Sequence, residues 1–251
     1  MSAETFVTPE IAEATLEGPQ GKLAFRLFKT SVCFQIANDI FAGTTYPNVP
    51  FVTDVKTIFD IGANVGAASV YFAVSYPEAK VYAFEPGSQP FLLLRQNVAP
   101  FANVSAFSFG LYGCEKRTVL YHGCGDSVES SVHPTERTSS ECEEIDLRSP
   151  LNFLHEHGVT QIDILKVDTE GCELPILSSL QKYLPKVKVL YVEYHSERDR
   201  RLLDSMLAET HALWRGRVSL VHRGEFCYLR KDLIPDGSET HTSEILSVLE
   251  P

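Results

Sequence analysis

Cysteines at metal-binding or redox spacing are missing from this chain. Its six, Cys33, Cys114, Cys124, Cys142, Cys172 and Cys227, include no C-x-x-C pair and form no Cys/His group of zinc-finger type. That excludes a zinc finger and a dithiol redox motif, and ordinary reduced thiols are expected. Also missing is any run of the ~18–20 apolar residues that a bilayer span requires. The opening MSAETFVTPEIAEATLEGPQ has no basic segment followed by an apolar one, so a soluble, cytoplasmic protein without membrane insertion is expected. Positive charge is scarce: 22 basic against 33 acidic residues give a formal charge of -11. That balance repels phosphate backbones and anionic lipid, and nucleic acid is not an expected partner. The one basic cluster, Arg198, Arg200 and Arg201, is interleaved with Glu197, Asp199 and Asp204 and reads as a solvated helix face.

What is present is enough apolar sequence for a packed core, 44% of 251 residues. From about residue 55, short β-rich runs alternate with helical stretches, the pattern of a parallel sheet covered by helices. VKTIFDI, KVYAFEP, NVSAFSF, QIDILKVD, VKVLYVEYH, RVSLVH and FCYLRK read as strands. VGAASVYFAVSYP, SQPFLLLRQNV, SPLNFLHEHG, CELPILSSLQKYLP and SERDRRLLDSMLAETHALW read as helices. Ser149 with Pro150 marks a helix start and Gly158 its end. The short HRGE link predicts that the last two strands form an antiparallel hairpin at a sheet edge. Residues 1–50, less regular, are expected to form a small cap, residues 51–234 the main domain and residues 235–251 a frayed tail. Residues 113–145 read as a long polar segment interrupting the alternation, a place where function is often carried.

In an open parallel sheet, ligands bind outside the carboxyl ends of the strands. Four of the strands end in acids: Asp60, then Glu85, then Asp168 with Glu170, then Glu193 with His195. After Asp60, the sequence IGANVG supplies Gly62 and Gly66 where strand turns to helix, leaving room for a ligand to touch backbone. The D-x-G-x-x-x-G spacing departs from the G-x-G-x-x-G that cradles a pyrophosphate, and the acid points to a ligand bearing an amine. Glu85 follows Gly66 by 19 residues, near the offset of about 20 at which an acid grips ribose hydroxyls in such folds. An amine plus a ribose describes S-adenosylmethionine better than NAD.

The stretches IFDIGANVGAASVYFA, VYAFEPGSQPFLLLRQNV, ILKVDTEGCELPILSSL and VLYVEYH, in that order, resemble the FkbM-type S-adenosylmethionine-dependent methyltransferases over roughly residues 40–200. KVDTEG with the following Glu173 is the most family-specific piece. The resemblance implies a Rossmann-like α/β class I methyltransferase sheet, order 3-2-1-4-5-7-6 with strand 7 antiparallel. It implies that Asp60, Gly62, Asn64 and Gly66 surround the methionine part of the cofactor and that Glu85 holds its ribose. The segment IFAGTTYPNVPFV is similar to one in which a tyrosine approaches the cofactor, here Tyr46. FSFGLYGCEKRT matches more loosely and assigns Gly110 and Leu111 to the adenine. CGDSVESSVH has the position of a loop over the site, making Ser130, Ser131 and His133 candidate substrate contacts.

Residues two apart on a strand share a face, so Lys166, Asp168 and Glu170 face one way, as do Glu193 and His195. The implied strand order would gather Asp60, Asp168, Glu170, Glu193 and His195 around one crevice, where so many carboxylates need a cation beside them. Transfer of a methyl group to oxygen requires the acceptor hydroxyl to lose a proton. His195 beside a carboxylate is the first candidate for the base, with Asp168 the alternative. The expected function is O-methylation of a small-molecule hydroxyl, on a sugar unit or a specialised metabolite, as the resemblance implies. Two alternatives stay open: a variant in which Asp168, Glu193 and His195 bind a divalent metal, which is not predicted, and a non-catalytic relative that keeps the cofactor pocket.

Overall fold

The computed structural model describes residues 10–123, 130–134 and 138–235. It opens with an antiparallel hairpin, β1 (Ile11–Gly18) and β2 (Gly21–Phe28), followed by α1 (Ser31–Phe41). The Thr30 side chain caps α1 by accepting from the Cys33 N–H at 3.1 Å. The alternating part then runs β3 (Thr57–Ile61), α2 (Ala67–Ser75), β4 (Lys80–Phe84), α3 (Ser88–Val98) and β5 (Val104–Phe107). After it come β6 (Gly110–Leu111), β7 (Lys116–Gly123), β8 (Thr138–Arg148) and α4 (Pro150–Glu156). The chain finishes with β9 (Ile164–Val167), α5 (Glu173–Ser179), β10 (Val189–Tyr194), α6 (Glu197–Leu207), β11 (His211–Leu220) and β12 (Arg223–Arg230).

Seven strands form the main sheet in the order β5-β4-β3-β9-β10-β12-β11, which counted along the chain is 3-2-1-4-5-7-6. The first five are parallel, and β12 runs antiparallel to both of its neighbours. The inner strands are apolar on both faces because helices cover both. On one face Ile58, Val81, Ala83, Ile164, Val189 and Tyr191 share a core with α1, α2 and the β1–β2 hairpin. On the other, Phe59, Ile61, Tyr82, Phe84, Leu165, Val167 and Leu190 pack against α4, α5 and α6. Phe153 of α4 stacks edge-on against Phe59, Tyr82, Phe84 and Phe107. Truncating so central a ring to alanine typically costs about 3–5 kcal/mol.

Three expectations need correction. Residues 113–145 are not simply a polar interruption: β7 and β8 pair antiparallel and join β6 in a three-stranded sheet. The stretch HALW does not continue the last helix. That helix ends at Leu207 and residues from His211 onward form edge strand β11, where the buried His211 hydrogen-bonds the Val187 carbonyl at 2.9 Å. The early region is more regular than expected, since Leu16, Phe25, Leu27, Ala37 and Phe41 are all buried in the main core. The hairpin over HRGE and the helix closed by Gly158, at φ +61, are both present. Among the described residues, no helix is long and apolar enough to cross a membrane.

Candidate active site

Register places the chemistry. Asp60 pairs with Lys166, and Lys166 with Tyr191, so their side chains lie on the sheet face covered by α1 and α2. Two residues further along each strand, and therefore on the same face, come Gly62, Asp168 and Glu193. A cavity of about 700 Å³ opens above this second row, roofed by α1 and Tyr46 and extending to Glu85, Gly110 and Leu111 at one end and Arg217 and Glu225 at the other. It is large enough for two small molecules side by side.

The turn after β3 is held from within. The N–H groups of Gly62 and Ala63 both donate to the Phe84 carbonyl, at 3.1 and 2.9 Å, and the Asn64 N–H donates to Glu85 Oε2 at 2.8 Å. Glu85 Oε1 accepts from the Gly87 N–H at 2.8 Å. Each oxygen is fixed by one backbone donor and keeps further acceptor capacity, and Glu85 lines the cavity. Burial raises the Glu85 pKa to about 7, against the pull of those two hydrogen bonds. The two glycines serve different neighbours. Gly62 has φ +77, and a Cβ there would lie 1.8 Å from the Asp168 carbonyl oxygen, so the turn is pressed against the end of β9. Gly66, at φ +92, is not on the cavity wall: a Cβ there would lie 2.7 Å from Leu94 Cδ1 of α3. The room at Gly66 was expected to admit a ligand, but close helix packing uses it.

Asp60 is fully buried and also stays off the cavity wall. It accepts from Ser69 Oγ at 2.5 Å and stands 3.1 Å from Lys166 Nζ. Lys166 does reach the cavity, donating to the Gly62 carbonyl at 2.5 Å and lying 3.8 Å from Asp168. Burial opposes its charge, but Asp60 and Asp168 outweigh that and raise its pKa. Asp60 therefore anchors the cation that anchors the turn.

Asp168, Glu170 and Glu193 line the cavity, but His195 does not. His195 Nε2 is 2.9 Å from Glu170 and 3.7 Å from Glu193, and Nδ1 is 3.3 Å from Glu173. None of these acids lies along a ring N–H direction, so the contacts are ion pairs without an aligned hydrogen bond. Burial works to lower its pKa, yet Glu170 and Glu173 prevail and carry it to about 11. A ring held in its charged form has no free nitrogen to take a proton. For Asp168, burial alone would raise the pKa, but Lys166, His195 and Arg223, with a hydrogen bond from Glu193, hold it below the usual carboxylate range. Glu193 moves the opposite way, pushed up by burial and by the charge on Asp168.

Ser131 is buried, and its hydroxyl donates to the Glu170 carbonyl at 2.8 Å while accepting from the His133 N–H. Together with its bridge to Tyr121, this makes Ser131 a latch for the segment, not a free contact. His133 is exposed beside Gly171, and Ser130 does line the cavity. Tyr46 does so as well, while its ring packs against Phe72 and Tyr191 at 5.8 and 5.4 Å.

The model for the methyltransferase FkbM domain matches residues 60–216. The chain belongs to the FkbM methyltransferase family. Among curated relatives it is 26% identical over 212 residues to methyltransferase sdnD of Sordaria araneosa, covering 70% of this chain and 77% of that one. It is 26% identical over 215 residues to the 31-O-demethyl-FK506 methyltransferase FkbM of Streptomyces tacrolimicus, covering 73% and 78%. It is 24% identical over 154 residues to the 2-O-methyltransferase NoeI of Sinorhizobium fredii, covering 56% and 63%.

In this FkbM-family site, two arginines escaped the sequence reading. Arg223, at the start of β12, donates from Nε to Glu193 at 2.6 Å and from a terminal nitrogen to Glu170 at 3.2 Å. Arg217 lines the far end of the cavity. The donor atoms of Asp168, Glu170, Glu193 and His195 lie within 4.8 Å of one another, close enough for a metal ion. Yet Arg223 and a protonated His195 already supply positive charge to these carboxylates, and a divalent ion would have to displace the first and deprotonate the second. As arranged, the group fits an internally compensated charge cluster better than a metal centre.

Proposed function

We infer that the protein is an S-adenosylmethionine-dependent O-methyltransferase acting on a hydroxyl group of a small molecule. The observation that carries this reading is a single cavity with a fixed carboxylate, Glu85, at one end and a charged carboxylate, Asp168, beyond the Gly62 turn. The residues fit the cofactor: Glu85 has spare lone pairs for a ribose, the Gly62–Asn64 turn borders the cavity, and Gly110 and Leu111 form an apolar floor. Bound there, the cofactor would supply a methyl group activated on a sulfonium. Tyr46 and Lys166 border the same space, and the charged Asp168 complements a positive charge.

Asp168 is the group that takes the acceptor proton. It faces the cavity and keeps its charge through Lys166, Arg223 and His195, while Glu193 beside it holds a proton. Glu170 and His195 act through Asp168 and Glu193 by fixing charge around them. Ser130 is the residue of its segment that borders the acceptor space.

Calorimetry with S-adenosylmethionine and S-adenosylhomocysteine, followed by labelled methyl transfer to a panel of hydroxylated compounds, tests the reading. Binding of NAD with no response to either sulfur compound would overturn it. The convergence of four donor atoms at Asp168 keeps a second reading, metal-assisted transfer. Loss of activity in chelator, restored by a divalent ion, would favour that one.

A further inference from the structure

The charged row at the carboxyl end of the sheet continues past the groups used above. Asp168 and Glu193 lie one residue beyond the Val167–Val192 pair, Glu193 pairs with Glu225, and Glu225 pairs with Arg217. All four line the cavity, and opposite them α1 presents exposed Val32 and Ile36. Among the described residues that line the cavity, the other two lysine and arginine cations are engaged: Lys166 with Asp60 and Asp168, Arg223 with Glu193 and Glu170. Arg217 is exposed and stands in register with Glu225, on which its charge acts, but among the described residues its guanidinium forms no ion pair with a carboxylate.

Three strand spacings of about 4.8 Å separate Asp168 from Arg217, roughly 14 Å of backbone. An anion placed beside the charged Asp168 would be repelled, whereas hydroxyls along the row meet the carboxyl groups of Glu193 and Glu225 as hydrogen-bond partners. A guanidinium with its fork open suits a carboxylate or a phosphate. We propose that the acceptor is a polyhydroxylated molecule bearing an anionic group, its hydroxyls laid along Glu193 and Glu225 and the anion bound by Arg217 at the far end of the row, three strand spacings of about 4.8 Å from Asp168. This rests on the methyltransferase reading above and adds the acceptor's charge and length.

The test uses protein saturated with S-adenosylhomocysteine and four probes: cellobiouronic acid, cellobiose 6'-phosphate, neutral cellobiose and glucuronic acid. Titration calorimetry should find at least one acidic disaccharide binding about tenfold tighter than cellobiose or more, the scale of one charge-assisted contact. The better of the two names the anion. Arg217→Gln should erase that preference while S-adenosylhomocysteine affinity stays as in the wild type. Glucuronic acid, too short to reach both ends, should be insensitive to the substitution. Equal binding of acidic and neutral disaccharides, no binding of any disaccharide, or a preference that survives Arg217→Gln would overturn the proposal. A protein that binds no S-adenosylhomocysteine would instead overturn the function beneath it, a result read before any sugar is added.

Discussion

Replacing His195 by glutamine tests whether the ring is a charged strut or a neutral base. The side chain is 15% exposed and faces Glu170 at 2.9 Å and Glu173 at 3.3 Å, Glu173 being almost fully buried. Removing one partner of such a pair costs about 3–5 kcal/mol when the site is closed; with some solvent access, about 3 kcal/mol is the reasonable figure. For a chain of this size that corresponds to a fall in Tm of about 6–12 °C. The pH dependence is more diagnostic. Because the folded pKa, about 11, lies above the ordinary 6.5, the stabilisation is complete below pH 6.5 and is lost as pH rises toward 11. Within that window the folded state binds more protons than the unfolded state, so wild-type stability should fall with pH more steeply than that of His195→Gln, by at most about 1.4 kcal/mol per pH unit. Urea unfolding at pH 7.5 and 9.0 measures the difference. Parallel slopes would refute the charged strut, and a methyl-transfer rate that rises through pH 6.5 in the wild type and not in the variant would restore His195 as the base.

Glu85→Gln should weaken S-adenosylmethionine binding by about 1–3 kcal/mol with little change in Tm. In the wild type, affinity should decline as pH drops through about 7, and calorimetry at pH 6 and 8 would expose a flat profile if the carboxylate plays no part. Gly66→Val should lower Tm before anything else, because its Cβ meets Leu94 and its φ is positive; unchanged stability with lost cofactor binding would put the ligand back at this glycine. Asp168→Asn should keep cofactor affinity within a few fold and slow methyl transfer by about a hundred to ten thousand times. Wild-type turnover in that variant would leave proton removal to solvent or to the acceptor itself.

The central sheet was readable because TIFDI, KVYAF and ILKV are apolar on both faces, and a run of that kind between turn residues has few other uses. β7 and β8 were not, because strands such as ECEEIDLR, rich in acids, resemble a polar linker until a partner is known. HALW was misread because its apolar residues fit a helix as well as an edge strand, and the pairing that decides between them lies in β12. The acids at the strand ends were found because they interrupt apolar runs. Arg223 was missed because its partners Glu193 and Glu170 are 30 and 53 residues away, a distance no local pattern carries. Gly66 illustrates a further limit: sequence marks a position that needs space without naming the neighbour that takes it.

The interleaving of β12 between β10 and β11 bears on how this protein can be divided. An expressed piece spanning residues 60–216 stops within β11 and leaves out β12, the strand that attaches β11 to the rest of the sheet. Such a piece would also lack α1, the wall of the cavity facing Arg217, and the N-terminal hairpin that shares the core. It would present the open edge of β10, a row of unpaired backbone donors and acceptors inviting association with other chains. A shared family segment marks common ancestry, while the smallest unit able to stand by itself is set by which strand touches which.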